Sequence, residues 1–98
     1  MKEEKNTSLL LSLIMTFQAA AMQQMGKLKN PISDKIERDL QQAQLSIDIL
    51  DMLAEKTNGN LSDDESRFLK GVLQELKLNY VDESTKEQQS ADKEKTQS

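Results

Sequence analysis

Apolar residues crowd into three stretches, and breakers separate them. The densest is LLLSLIMTFQAAAMQQM, from Leu9 to Met25. It predicts a helix that begins after Thr7 or Ser8, either of which caps an N-terminus, and stops at Gly26. Apolar side chains nearly encircle it, and the small residues Ser12, Thr16 and Ala20 recur every four positions as a narrow strip. Asn30-Pro31 then interrupts the chain, because the residue before proline avoids helical geometry. Helix two is expected from Asp34, whose spacing to Glu37 imitates a capping box. Its apolar positions Ile36, Leu40, Ala43, Ile47, Leu50 and Ala54 step by four and three, which is a heptad seam. Leu45, Ile49, Met52 and Leu53 widen the stripe in the second half, and Thr57-Asn58-Gly59 closes it. Ser62-x-x-Glu65 opens helix three with acids in its first turn. Phe68, Leu69, Val72, Leu73, Leu76 and Tyr80 form its apolar side, which ends near Val81.

The expected architecture is therefore all-α, with helices near 8–25, 34–57 and 63–81. The short link makes helices two and three an antiparallel hairpin. Met1 to Asn6 reads as a polar leader, 7–81 as the helical domain, and 82–98 as a disordered charged tail with Ala91 its only apolar side chain. A helix apolar around most of its girth needs more cover than two amphipathic partners provide, so oligomerisation, with a dimer favoured, is expected to complete the fold. The residues assigned to that interface are Leu10, Ser12, Ile14, Thr16, Phe17, Ala20 and Ala21.

Composition narrows the chemistry more than the fold. The 98 residues include no histidine and no cysteine, removing the commonest general base, the usual zinc and haem ligands, and thiol nucleophiles. Thirteen basic against seventeen acidic residues leave a net charge of −4, which repels a phosphate backbone, and the three aromatics offer no stacking platform. Nucleic acid is not an expected partner, and no cofactor or catalytic residue is implied.

Asp48, Asp51 and Glu55 fall on one side of helix two, within about 60° at 100° per residue. Three carboxylates invite a metal or an acid–base pair. Arg67, Lys70 and Lys77 share a side of helix three, and the hairpin brings the two helices together. Interhelical ion pairs explain both stripes with no ligand. A calcium loop aligned on Gly59 fails, since Ala54 and Lys56 occupy the first two carboxylate positions. Residues 9–25 also suggest a membrane or export segment. Against that, the leader Met1-Lys-Glu-Glu-Lys5 has cancelling charges, and Ser12, Thr16, Gln18, Gln23 and Gln24 make the run too polar to span.

The order Asn30-Pro31, Asp39 to Ala43, Ile47-Asp48-Ile49-Leu50, Met52-Leu53, Glu55-Lys56-Thr57-x-Gly59-Asn60-Leu61, Glu65, Leu69, Val72-Leu73, Leu76 and Tyr80-Val81 resembles a small bacterial helical family known only as a domain of unknown function. The resemblance spans about residues 9 to 81 and is most specific at the Lys-Thr-x-Gly-Asn-Leu turn. It implies a short, helical, cytoplasmic protein and supplies no activity, substrate or catalytic residue. The leader and the charged tail depart from the expected pattern. The combined expectation is a cytoplasmic, non-enzymatic interaction module that self-associates through helix one. The alternative is a membrane-associated or exported protein using residues 9–25, and a carboxylate metal-binding protein stands behind it.

Overall fold

A computed structural model describes the backbone of residues 2–97 and side chains as far as Gln89. It contains three helices: α1 (Lys2–Gln24), α2 (Leu40–Lys56) and α3 (Asp63–Gln97). No strand accompanies them among the described residues; an isolated bridge pairs Asn30 with Lys35.

Each helix end has a local cause. Gly26 takes φ +85. Its N–H donates to the Gln23 carbonyl at 3.0 Å while Lys27 N–H reaches back to the Met22 carbonyl at 2.8 Å. That reciprocal pair is a Schellman ending, which needs a left-handed residue and so a glycine. After α2 the C-cap is Thr57, and Gly59, left-handed at φ +89, shapes the turn that follows, in which Asn60 N–H donates to the Thr57 carbonyl at 2.8 Å. The capping box of α3 forms as the spacing predicts: Ser62 N–H donates to Glu65 Oε1 at 2.8 Å, and Glu65 N–H to Ser62 Oγ at 3.2 Å.

Helix two starts later than expected. Its N-cap is Asp39, whose carboxylate accepts from Gln42 N–H at 3.2 Å. Residues 34–39 are outside the helix, and Asp34 itself is left-handed, φ 56. The reason is a competing turn. Asn30 Oδ1 accepts from Ile32 N–H at 2.9 Å, the Asn30 carbonyl from Asp34 N–H at 2.7 Å, and Asn30 N–H donates to Lys35 at 2.8 Å. These bonds satisfy the backbone locally, so Ile36 leaves the heptad seam and is exposed.

The two ends also differ from expectation. α1 begins at Lys2, so the polar leader is helical, and α3 passes through residue 81 without a break. From Val72 onward the sequence has neither glycine nor proline, and it is rich in Glu, Lys and Gln, all strong helix formers. Lys86 reinforces the continuation by pairing with Asp82 at 3.2 Å and Glu83 at 3.1 Å on its own helix.

The helices pack up-down-up. Thr7 Oγ1 donates to Glu65 Oε2 at 2.6 Å, and Lys27 pairs with Asp82 at 3.6 Å, so α1 and α3 run parallel. α2 is antiparallel to both. Asp51 and Lys77 fix its register against α3 at 2.9 Å. The Gln24 amide fixes it against α1: turned inward, its NH2 has Ser46 Oγ at 2.7 Å and the carbonyls of Gln42 at 3.0 Å and Ala20 at 3.2 Å as acceptors for its two hydrogens. Between the helices lies an aliphatic core of Ile14, Ala21, Met25, Ala43, Ile47, Leu50, Leu69, Val72, Leu73 and Leu76. Leu10, Phe17, Leu40 and Tyr80 close its edges.

Candidate functional site

Core packing decides which side of α1 is free. Ile14 and Ala21 are fully buried, and Leu10 and Phe17 pack beside them. These four residues belong to the chain's own core, so they do not line an outward interface as the sequence suggested. The rest of that set lies on the other side: Ser12 and Thr16 are exposed and Ala20 is half-buried. The structure joins them to Leu9 and Leu13, which remain 59% and 44% exposed, with Met15 at 49% on the flank toward α3. The polarity of the strip is partly spent internally, because the Thr16 hydroxyl donates to the Ser12 carbonyl at 2.8 Å. No charged residue occurs from Asn6 to Gly26. From Asn6 onward the outward side of α1 is consequently uncharged and carries aliphatic and small side chains, with Lys2 and Lys5 confined to its first turns.

The carboxylate and cation stripes meet at only one point among the described pairs. Asp51 accepts from Lys77 Nζ at 2.9 Å. Asp48 accepts from Gln44 Nε2 at 2.8 Å on its own helix. Arg67 pairs at 3.8 Å with Asp64, one turn away on α3. The expected interhelical pairing of Glu55, Arg67 and Lys70 does not form, and register is the cause. With Asp51 opposite Lys77 in an antiparallel pair, Lys70 and Arg67 come level with positions 58 and 61, beyond Lys56, where α2 ends. No three carboxylates among the described residues converge closely enough to hold a metal ion.

A charged node that the sequence reading missed lies at the other end of the bundle. Glu83 is buried, and its carboxylate receives Lys27 at 3.3 Å, Arg38 at 3.4 Å and Lys86 at 3.1 Å. Arg38 also donates to the Glu83 carbonyl at 2.6 Å. The Lys86 hydrogen bond, opposed by burial and assisted by the hydrogen bond and charge of Lys27, holds the Glu83 carboxyl below its ordinary value. Lys86 is held above its own, first by the Glu83 hydrogen bond and then by Asp82. The node fastens the α1–α2 linker to α3. Its signal was the core spacing, since Leu69, Leu76 and Glu83 are seven residues apart.

At the start of α3, Glu65 joins two helices. The hydrogen bond from Thr7, followed by the one from Ser62 N–H, lowers its carboxyl from the ordinary value. An open polar cleft beside it is lined by Glu3, Asn6, Thr7, Asn60 and Ser62. The Glu65 carboxylate accepts from Ser62 N–H on one oxygen and from the Thr7 hydroxyl on the other, tying the start of α3 to α1.

Three helices packed up-down-up around one aliphatic core define a small three-helix bundle whose α1 exterior is uncharged from Asn6 onward. Residues 7–83 match the family model described as a domain of unknown function (DUF1844). The chain belongs to that family. No curated protein and no solved structure matches it. No helix of the described residues is long and apolar enough to cross a membrane.

Proposed function

We propose that this chain is a non-enzymatic, cytoplasmic interaction module that self-associates through the outward side of α1. The observation that carries the reading is the charge-free surface built on Ser12, Thr16 and Ala20, with Leu9 and Leu13 left exposed after the core is complete. Two copies meeting there bring no like charges together, which is what a self-complementary interface requires. The cytoplasmic placement draws support from the use of Ile14, Ala21 and Met25 in the core, where they pack with residues of α2 and α3. Thermal melting tests the reading, because association stabilises the folded state by mass action. The midpoint is expected to rise between about 5 μM and about 500 μM protein. A midpoint independent of concentration contradicts it.

A further inference from the structure

The turn between α2 and α3 places an asparagine side chain beside an unhindered backbone nitrogen. Asn60 N–H donates to the Thr57 carbonyl at 2.8 Å, closing a turn whose third residue, Gly59, has φ +89. That combination is a type II turn, and its central peptide joins Asn58 to Gly59. The central peptide takes no part in the turn's own hydrogen bond, and none of the described backbone bonds engages the Gly59 N–H. Asn58 and Gly59 are both exposed. A Cβ built on Gly59 would meet nothing within 4 Å, so neither a side chain of its own nor a neighbour hinders rotation of that peptide.

The other asparagines lack this arrangement. Asn30 precedes Pro31, which has no N–H. Asn6 and Asn79 lie inside α1 and α3, where the N–H of the following residue is held in the helical ladder. Asn79 Nδ2 is also engaged, donating to the Glu75 carbonyl at 2.8 Å. Asn60 is exposed like Asn58, but it precedes Leu61, whose branched side chain crowds the nitrogen a reaction would need. Asn58 is the one asparagine followed by glycine.

We infer that Asn58 is a self-modifying site, converted to aspartate and isoaspartate by its own chain with water as the only other reactant. The Gly59 nitrogen, its proton taken by hydroxide, attacks Asn58 Cγ. The N–Cγ bond forms, the Cγ–Nδ2 bond breaks, and Nδ2 leaves as ammonia with a proton from water, which regenerates the hydroxide. Water then opens the cyclic imide. Cleavage of the N–Cγ bond leaves aspartate with the original backbone. Cleavage between the nitrogen and the Asn58 main-chain carbonyl leaves isoaspartate, with an extra methylene in the main chain. In net terms an amide and a water become a carboxylic acid and ammonia, and nothing is oxidised or reduced. The new negative charge enters the small cleft that Asn58 shares with Asp63 and Lys70, with Glu55 and Lys56 beside it on α2. It stands level with Lys70, which has no carboxylate of α2 opposite it.

The test incubates the full chain in warm, mildly alkaline buffer and follows it by ion exchange and peptide mass spectrometry. An acidic species should accumulate, its new carboxyl mapped to residue 58 in both isomeric forms, at least about tenfold faster than at Asn60 or Asn79. Gly59→Ala should slow the conversion at least about tenfold, because the added methyl crowds the nitrogen. Asn58→Gln should abolish it. No acidic species, or one mapped mainly to another asparagine, overturns the inference. Aspartate without isoaspartate overturns the imide route, as does an unchanged rate in Gly59→Ala. Circular dichroism checks that the variants stay helical, and Asn58→Gln carries the comparison should Gly59→Ala unfold.

Discussion

At Gly71 an added Cβ would meet nothing within 4 Å. No helix of the same chain needs the space. Gly71→Ala should therefore stabilise the fold by about 1 kcal/mol, the helix-propensity difference. Gly59 presents the opposite case with equal room: nothing lies within 4 Å of its Cβ position either, but its φ is +89. Gly59→Ala should cost about 1–2 kcal/mol through backbone strain alone. Urea denaturation midpoints of the two variants check both signs. If Gly71→Ala lost stability, a contact at that position would be required. Gly26 was legible as a helix end because a glycine just after an apolar periodic run lets the chain turn back onto the C-terminal carbonyls, whereas Gly59 was legible only as the turn after α2. Asp34 was not legible. Its spacing to Glu37 imitates a cap, whereas the Asn30 side chain had already closed a turn around it.

Helix α3 carries the largest departure from the sequence reading. A hydrophobic count ends it near Val81, but the side chain that follows in the core register is an acid, Glu83, which enters the interior only because Lys27 and Arg38 approach from the linker and Lys86 from its own helix. Composition alone does not reveal such compensation, since it depends on partners far away in sequence. Glu83→Gln should destabilise the protein by about 1.5–3 kcal/mol, the range for hydrogen bonds to charged groups. Glu87→Gln, at the exposed margin of the same node, should change little. The sign of the pH dependence follows from the lowered Glu83 carboxyl. Its contribution is fully present above the ordinary value of 4.5 and is lost as pH falls through the depressed folded value. Wild-type stability measured by urea titration should fall more steeply below that pH than stability of Glu83→Gln. Parallel acid profiles would show that Glu83 is not held in this way.

The whole molecule is a three-helix bundle whose aliphatic core is built from one chain, with Leu9 and Leu13 of α1 left exposed outside it. The three-helix architecture and the α2/α3 hairpin were legible, because caps and heptad steps are local and the connecting turn is short. The orientation of α1 was not. A helix apolar on nearly every side has no sequence signal for which side its neighbours take, and only packing assigns Ile14 and Ala21 inward and Thr16 outward. The cation stripe of α3 failed for a related reason, since facing stripes pair only where both helices are present. Self-association through the uncharged exterior is tested most directly by sedimentation equilibrium of the unmodified chain from about 1 μM to about 200 μM. The mass should rise from 11.1 kDa toward twice that value, about 22 kDa. A mass of 11.1 kDa across the whole range would contradict it.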